Sequence, residues 1–336
     1  MKIVQFIASK GWGGAEDSFI ELCNMLSQMI EVEVILLKEN QIAQKLDKSV
    51  KIHTLSSGSG RYNPFLYMEL AKLLKEINPD IVHTHSAKAT EIIYRISAGF
   101  PFKQVATKRN PRKGRIFNKL THVIAISKGV AESIDGKRAE IIYNGLPKVP
   151  NLFPRKKNDT LFTISAIGRL DKVKGFDMLV KEAAKLSFPY HLHIIGEGEE
   201  RDRLEKLIIE NRISSCVTLN GFRNDIPSVI ASSDLVVVSS LSEGFGRVIV
   251  ETLFYGKVLI STNVGIAAEI LPEQLLVKEK RFAEKIEEVY HNSEEYEKLF
   301  AEVKETYQKQ FSLEEKAREY MAYYQHILTF EEGSST

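Results

Sequence analysis

Cysteine is scarce in this chain of 336 residues, which has only two, Cys23 and Cys216, far apart in the sequence. A disulfide framework needs several cysteines at close spacing, and a structural zinc site needs paired ligands a few residues apart. Neither pattern is present. The sequence therefore predicts a protein of a reducing compartment that carries no structural metal.

Long apolar runs are also lacking. No uninterrupted stretch approaches the roughly 20 apolar residues that a membrane-spanning helix requires. The first eight residues resemble the start of a signal peptide, but Lys10, Gly11, Gly13 and Gly14 interrupt the apolar segment. This start favours a buried first strand, and the whole pattern predicts a soluble or peripheral protein.

Acidic residues are absent from one long segment, Gln104 to Ala131. Residues 1–150 have 22 lysines and arginines against 14 acids, a net charge of +8, whereas the remainder has 24 against 30, a net charge of −6. A solvated loop and helix face is one explanation, and a surface for anionic lipid or a phosphorylated acceptor is the other. Few aromatic residues are interleaved, which disfavours nucleic acid. The basic residues of this segment are Lys108, Arg109, Arg112, Lys113, Arg115, Lys119 and Lys128.

Short apolar, β-branched segments alternate with helix-like segments along the chain, and the alternation restarts after a segment with three prolines at residues 146–159. This segment is the best candidate for a linker. Alternating strands and helices in two blocks predict an α/β protein with two doubly wound, Rossmann-like domains, residues 1–150 and 151–310. The facing strand ends of the two domains are expected to form a cleft.

The first strand, Ile3 to Ala8, is followed by a glycine loop, Lys10-Gly-Trp-Gly-Gly-Ala-Glu16, that opens a helix predicted over Glu16 to Met29. A G-x-G-x-x-G dinucleotide fingerprint fails here because Glu16 stands where the third glycine is needed. This weakens an assignment as an NAD-binding protein. The loop can still bring bare backbone close to a ligand.

Two histidines, His83 and His85, lie two residues apart at the end of a predicted strand and therefore point the same way. A metal pair is disfavoured because no third ligand is clustered with them. A structural role is the simpler interpretation for His83. His85, at the mouth of the strand, either lines the cleft or is structural too.

Two carboxylates, Glu243 and Glu251, flank a glycine turn between the apolar strand Asp234 to Ser239 and a helix that ends at Gly256. In an open α/β sheet, ligands bind where strands end, and a helix N-terminus favours anions. The carboxylates can accept hydrogen bonds from hydroxyl groups. The pattern fits a sugar nucleotide, although an acid/base pair is the other role open to two carboxylates.

The chain resembles the family 4 glycosyltransferases of the GT-B fold, which are retaining, nucleotide-sugar-dependent enzymes of lipopolysaccharide and glycan assembly. The resemblance covers nearly the whole length. It rests on Gly13-Gly-Ala-Glu, His83-Thr-His-Ser-Ala-Lys-Ala, Asn144-Gly, Gly168-Arg-Leu, Lys174-Gly-Phe-Asp, Gly196-Glu-Gly, Gly221-Phe and above all Glu243-Gly-Phe-Gly to Glu251.

This resemblance implies roles for the matching residues. Arg169 and Lys174 are expected to clamp the diphosphate leaving group, where other transferases use a metal held by an Asp-x-Asp pair that this sequence lacks. Glu243 would hold donor-sugar hydroxyls, Glu251 the ribose, and His85 would orient acceptor or donor sugar. The further donor-binding residues implied are Gly13, Gly14, Gly221, Phe222, Arg223, Gly244, Phe245 and Gly246.

The resemblance also implies that a last helix, about residues 311–330, crosses back to an acceptor-binding first domain, while the second domain binds the nucleotide sugar. A cytoplasmic location follows, with peripheral attachment to the inner face of the cytoplasmic membrane as a further expectation. The donor is expected to be UDP-linked, the moved sugar a hexose or N-acetylhexosamine, and the acceptor a glycan or glycolipid.

The sequence departs from the family pattern at two places. Many members have a histidine where this chain has Lys108 and Arg109, so that role is not transferred, and the pair could bind an acidic acceptor, donor sugar or membrane surface together with Arg112, Lys113 and Arg115. Gly265-Ile-Ala-Ala-Glu also lacks a glycine common near the donor sugar. A nucleotide-sugar epimerase of the same architecture and a non-catalytic nucleotide-sugar-binding protein remain the alternatives.

Overall fold

The computed structural model describes residues 1–9, 13–38, 41–58, 60–112, 114–135, 139–148, 161–278 and 281–330. The chain divides into two compact units, one made of residues 1–147 with the chain from Phe311 on, the other of residues 148–310. Most of the segment predicted to be a linker, residues 149–159, lies outside the described residues. Within the described residues, no helix is long and apolar enough to cross a bilayer.

The first unit contains a parallel sheet. Its described strands follow the order β3-β2-β1-β4-β5-β6-β7, so the chain reverses its direction of travel between β1 and β4. The strands are β1 (Lys2–Ile7), β2 (Glu31–Leu37), β3 (Lys51–Leu55), β4 (Ile81–His85), β5 (Lys103–Lys108), β6 (His122–Ala125) and β7 (Glu140–Ile141).

Helices cover both faces of this sheet, as parallel sheets require. The described helices that precede the second unit are α1 (Gly14–Leu26), α2 (Pro64–Ile77), α3 (Ala87–Ser97) and α4 (Lys128–Glu132). One apolar cluster joins Phe19 and Leu22 of α1 to β1 and β2, and another joins Leu66, Leu70 and Leu74 of α2 to the opposite face.

The second unit repeats the architecture with a five-stranded parallel sheet of order β10-β9-β8-β11-β12. Its strands are β8 (Phe162–Ile167), β9 (Tyr190–Ile195), β10 (Val217–Leu219), β11 (Leu235–Val238) and β12 (Leu259–Ser261). Its described helices are α5 (Phe176–Ala183), α6 (Arg201–Glu210), α7 (Ile226–Ala231), α8 (Arg247–Tyr255), α9 (Ala267–Ile270), α10 (Phe282–His291) and α11 (Ser293–Tyr307).

The last described helix, α12 (Leu313–Phe330), belongs to the first unit and packs against α1. Ala317, Tyr320, Tyr324 and Ile327 enter the apolar cluster of that face. Burial of a large apolar side chain contributes about 1.5–3 kcal/mol. The side chains of α12 are therefore a sizeable part of the first unit's core.

The predicted fold class, two doubly wound parallel sheets, is confirmed. Boundaries differ by a few residues at several elements. The helix predicted over 16–29 runs over Gly14–Leu26. It begins two residues earlier because the carbonyl oxygen of Gly13 already accepts from the backbone N–H groups of Glu16 and Asp17. A helix begins where its first carbonyl acceptor is placed, and glycine at that point raises no steric obstacle.

Candidate functional site

The candidate site of the second unit lies where β8 and β11 end. These strands are neighbours, yet the chain leaves them toward opposite edges of the sheet. Such a switch point leaves a crevice outside the carboxyl ends of the strands, where ligands of open α/β sheets bind. The loop after β8 carries Arg169 and Lys174, and the loop after β11 carries Glu243.

The loop after β8 is held by the side chain of Asp171 and by contacts with the end of β11. Asp171 accepts hydrogen bonds from the backbone N–H groups of Val173 and Lys174 at 3.1 and 3.2 Å. Gly175 follows at φ 64°, where a Cβ would lie 2.4 Å from the carbonyl oxygen of Ser239. Only glycine allows this approach, which sets the Lys174 loop directly on the end of β11. The Ser239 hydroxyl also donates to the Lys174 carbonyl at 2.8 Å.

Lys174 and Glu243 form an ion pair at this point. The Lys174 ammonium donates to Glu243 Oε1 at 2.5 Å, and the Ser240 hydroxyl donates to the same oxygen at 2.7 Å. The two side chains are 21% and 14% exposed, so the pair is shielded but reachable from solvent. Among the described residues, Glu243 Oε2 has no hydrogen-bond partner. The site therefore offers a cation with N–H donors to spare beside an unused carboxylate oxygen.

Helix α8 begins beside this pair. Gly246, at φ 89°, is its N-cap and supplies no side-chain cap. On the next turns, the Arg247 guanidinium donates through Nε to Glu251 Oε1 at 2.8 Å, a spacing of four residues on one helix face. Phe245 is only 4% exposed, so its side chain belongs to the core. Of the residues predicted here, Gly244 and Gly246 have only backbone groups to offer a ligand, and Glu251 is held by a cation.

Two further predicted groups lie on separate loops of this unit. Arg169 is largely exposed, 76%, and its Nη2 lies 3.2 Å from Asp171 Oδ2. The loop from Gly221 to Arg223 lies next to Gly196, whose N–H donates to the Gly221 carbonyl at 2.9 Å. Phe222 is 67% exposed, while the Arg223 guanidinium pairs with Asp225. No described group accepts from the buried Nε of Arg223.

In the first unit, both predicted histidines lie in a buried hydrogen-bond network. His83 Nδ1 lies 2.6 Å from the Tyr324 hydroxyl of α12, and its Nε2 lies 2.7 Å from the Thr107 hydroxyl. His85 Nε2 lies 2.7 Å from Gln5 Oε1. The Gln5 side-chain N–H donates to Tyr324 at 3.2 Å.

Arg109 decides the proton positions in this network. Its Nη2 lies 3.0 Å from His85 Nδ1, and since a guanidinium only donates, Nδ1 must accept. His85 therefore carries its proton on Nε2 and donates to Gln5. The Tyr324 hydroxyl accepts from Gln5, and its own proton is available to His83 Nδ1. We therefore assign the Nε2–H tautomer to His85 from its contact with Arg109, and the same tautomer to His83 as the arrangement in which every donor of the network points in one direction.

Burial supports this protonation state. It lowers the pKa of His83 and His85 well below the ordinary value, and the positive charge of Arg109 lowers both pKa values further. Burial also raises the pKa of Tyr324 well above its usual range. Both nitrogens of His85 are engaged and the residue is 1% exposed. In this structure His85 is buried and accepts a hydrogen bond from Arg109, and its role toward a sugar stays a prediction.

The predicted basic surface is divided by the structure. Lys108 is 2% exposed and donates to the carbonyl and hydroxyl oxygens of Ser133 at 2.9 and 2.7 Å, so it is no surface residue. Arg109 is half-buried and donates to Asn144 at 3.2 Å as well as to His85. Arg112 and Arg115 are exposed, and Lys113 lies outside the described residues. The run of charge in the sequence is therefore not one surface.

Gly13 and Gly14 open α1, as the glycine loop predicted. The side chains that the sequence left without a role are those that hold the predicted ones. Arg247 could have been found, because Arg and Glu four residues apart pair on a helix. Asp171, Ser240, Gln5 and Tyr324 carried no signal of their own, since their partners depend on tertiary placement.

Comparisons with known proteins agree with this architecture. The profile of "Glycosyltransferase Family 4" matches residues 12–148, and that of "Glycosyl transferases group 1" matches residues 150–306. Among curated relatives, the lipopolysaccharide core biosynthesis glycosyltransferase LpsE of Rhizobium meliloti is 27% identical over 78% of this chain and 79% of its own length.

A second relative is the N-acetylgalactosamine-N,N'-diacetylbacillosaminyl-diphospho-undecaprenol 4-alpha-N-acetylgalactosaminyltransferase of Campylobacter jejuni, also 27% identical, over 78% of this chain and 80% of its own length. Among solved structures, HepE of Anabaena in complex with UDP and glucose superimposes with a TM-score of 0.82 at 20% identity, over 96% of this chain and 99% of that one. That likeness shows the fold. The two profile matches, the curated relatives and the two doubly wound sheets together show that the chain belongs to the family 4 glycosyltransferases of the GT-B fold.

Proposed function

We propose that this glycosyltransferase moves a hexose or N-acetylhexosamine from a UDP-sugar to a glycan or lipid-linked glycan, with retention at the anomeric carbon, in bacterial lipopolysaccharide, capsule or other glycan assembly. The observation that carries the proposal is the Lys174–Glu243 pair at the switch point of the second sheet. It puts a shielded ammonium, a carboxylate and the start of α8 together at the carboxyl ends of the strands. The ammonium and the helix start would bind the phosphates of a sugar diphosphate, and the carboxylate would accept from its hydroxyl groups.

In this proposal the second unit is the donor-binding unit. Lys174 and Arg169 bind the diphosphate and neutralise its negative charge, so that no metal is needed there. Glu243 accepts from a donor-sugar hydroxyl through its unused Oε2, while Glu251, oriented by Arg247, accepts from the ribose hydroxyls. Gly221, Phe222 and Arg223 line the base, which the exposed Phe222 ring can stack upon. The helix N-terminus at Gly244 to Gly246 favours the negative phosphates.

The proposed reaction breaks the bond between the anomeric carbon and the diphosphate oxygen and forms a bond from that carbon to the acceptor oxygen on the same face. The acceptor proton passes to the departing diphosphate, and UDP leaves. Each of the two site carboxylates is paired with a cation, and in this proposal both act as hydrogen-bond acceptors and neither as the covalent nucleophile of a retaining hydrolase. Electrostatic stabilisation of the leaving group is the main contribution of the protein.

The relatives support the substrate classes of this proposal. The Campylobacter enzyme is named for an undecaprenol-linked acceptor and an alpha product, and the Rhizobium protein for lipopolysaccharide core biosynthesis. The Anabaena structure contains UDP and glucose. We accordingly assign the first unit to the acceptor and propose that the protein works in the cytoplasm, peripherally at the inner face of the membrane.

The experiment that tests this function is a thermal-shift screen of nucleoside diphosphate sugars, followed by acceptor-dependent release of the nucleotide. We expect a UDP-sugar to raise the melting temperature and UDP to be released only when a glycan acceptor is present. Proton NMR of the product should show the anomeric configuration of the donor, and chelation by EDTA should leave the rate unchanged. A new nucleotide sugar formed without acceptor would show an epimerase instead. Binding without turnover on any acceptor would show a non-catalytic protein.

A further inference from the structure

The first sheet has a switch point of its own, at the carboxyl ends of β1 and β4. These two strands are neighbours, and the chain leaves them toward opposite edges of the sheet. His85 ends β4, Arg109 directly follows β5, and Asn144 lies shortly after β7. The three side chains therefore lie at one edge of one parallel sheet, which is where open α/β sheets bind their ligands.

Arg109 has more hydrogen-bond donors than partners at this edge. A guanidinium carries five N–H groups and no acceptor. Nη1 of Arg109 donates to Asn144 Oδ1 at 3.2 Å, and Nη2 donates to His85 Nδ1 at 3.0 Å. Its Nε is buried and has no partner among the described residues. In the part of the chain that the structure describes, the remaining N–H groups of Arg109 thus find no acceptor.

Arg109 also lacks a counter-charge in contact with it. The negative charge of Glu16 on α1 acts on the guanidinium through space, but both hydrogen bonds of Arg109 go to neutral groups. The buried Lys316 of α12, by contrast, is paired with Glu319. Burial lowers the pKa of Arg109, yet a guanidinium stays charged at neutral pH. A cation taken out of water without a paired anion is costly, which indicates that a ligand supplies the anion.

Asn144 offers further donors beside the guanidinium. Because Arg109 can only donate, the oxygen of the Asn144 amide must face it, and we assign the amide NH₂ to the other side. That NH₂ group has no described hydrogen-bond partner. A guanidinium beside an amide NH₂ matches a carboxylate or a phosphate, whose oxygens accept several hydrogen bonds at once.

We propose that Arg109, together with Asn144, binds an anionic group, a carboxylate or a phosphate, on the sugar acceptor. The acceptor part of this inference rests on the proposed function, which gives the first unit to the acceptor. Arg109 is half-buried and not fully enclosed, so a ligand at the strand edge can contact it. A neutral acceptor would leave the cation without a counter-charge, and the site therefore selects acidic acceptors over neutral ones.

A purely structural role for Arg109 is the competing explanation. Holding His85 and Asn144 takes two N–H donors, which an uncharged glutamine amide also has. The positive charge and the other N–H groups are not needed for that role. The two explanations differ in one measurable quantity, because only the binding role makes the preference for acidic over neutral sugars depend on Arg109.

The first experiment is calorimetric titration of the full chain with methyl glucuronoside, glucose 6-phosphate and the neutral methyl glucoside. We expect both anionic sugars to bind about tenfold or more tightly than the neutral one, and Arg109→Gln to abolish this preference. Arg95→Gln is the matched control and should keep it, since Arg95 is an arginine of the same unit that is already paired with Glu91. No preference in wild type, or an unchanged preference in Arg109→Gln, would overturn the proposal.

A second variant separates this inference from the proposed donor site. Lys174→Ala should keep the preference for the anionic sugars, because Lys174 belongs to the other unit. A preference lost in Lys174→Ala and kept in Arg109→Gln would place the anion in the second unit and contradict the assignment. None of these titrations requires transfer, so their outcome is independent of whether UDP is released from a donor.

NMR of ¹⁵N-labelled histidine locates the bound anion. Since His85 Nδ1 accepts from Arg109, methyl glucuronoside should shift the His85 ring signal and methyl glucoside should not. Arg109→Gln should weaken UDP-glucuronic acid and UDP-glucose equally or not at all, whereas a selective loss of UDP-glucuronic acid would assign the anion to the donor sugar instead. Arg109→Lys, which keeps the charge, should retain part of the preference. Equal circular-dichroism melting curves establish that the compared variants are folded.

Discussion

At the scale of single residues, Glu243 illustrates how a neighbour limits what a carboxylate can do. Sequence reasoning left open an acid/base role for Glu243 and Glu251. In the structure Oε1 of Glu243 accepts from both Lys174 and Ser240, and Glu251 accepts from Arg247. A carboxylate held in this way is an acceptor and an anchor. The remaining oxygen of Glu243 can still bind a hydroxyl group.

Glu243→Gln separates these two functions. The amide keeps the shape of the side chain but loses its charge, so Lys174 is freed for the diphosphate and the hydroxyl contact weakens. We expect UDP to bind as tightly as to wild type or tighter, while kcat for transfer falls by about 10²–10³. Calorimetric titration with UDP and steady-state kinetics measure the two quantities. Lost UDP affinity with an unchanged kcat would contradict the assigned role.

At the scale of elements, α12 links the end of the chain to the histidines of β4. Tyr324 is fully buried and joins Gln5 of β1 to His83 of β4. Its removal would leave the side-chain N–H of Gln5 and Nδ1 of His83 buried without a partner. An unsatisfied buried polar group costs about 1–3 kcal/mol.

Tyr324→Phe should therefore lower the free energy of unfolding of the first unit by about 1–3 kcal/mol and perturb the ¹⁵N shifts of the His83 ring. Tyr323→Phe is the matched control on the same helix, because its hydroxyl has no described hydrogen-bond partner. Chemical unfolding and ¹⁵N-histidine NMR are the measurements. Both rings should report Nε2–H tautomers in wild type, and an Nδ1–H signal from His85 would contradict the direction assigned to the network.

The elements also show which parts of the site could be predicted from sequence. The glycine turn after β11 and the cations after β8 are recognisable as short sequence patterns, although the pairing of Lys174 with Glu243 spans 69 residues and depends on the fold. The partner of His83 lies 241 residues away, and only the return of α12 to the first sheet brings it there. Lys108 shows the reverse error, because a run of cations in the sequence does not say which of them the fold turns inward.

At the scale of the whole molecule, the buried neutral histidines make stability depend on pH. The pKa of both His83 and His85 is lowered by burial, from about 6.5 in the unfolded chain. Above that value both histidines are neutral in the folded and in the unfolded chain, and their contribution to stability does not change with pH. Below it the unfolded chain takes up protons that the folded chain cannot, so stability falls as pH falls toward the lowered pKa values.

We expect the opening free energy of the first unit to decrease below about pH 6.5 by about 1.4 kcal/mol per pH unit for each buried histidine. Hydrogen exchange of the β1 and β4 amides between about pH 5 and 7 measures this slope. His83→Gln should lower this slope by the contribution of one protonation. A slope that is unaffected by His83→Gln would mean that this ring is charged in the folded protein.

The proposed function depends above all on Lys174 binding the diphosphate, and a pair of lysine variants tests this role. Lys174 is shielded and paired with Glu243, while Lys181 is exposed on the neighbouring helix α5. The measurement is acceptor-dependent release of UDP from the UDP-sugar that the screen identifies. We expect a rate about 10²–10³ lower in Lys174→Ala and a wild-type rate in Lys181→Ala. Wild-type turnover in Lys174→Ala would contradict it.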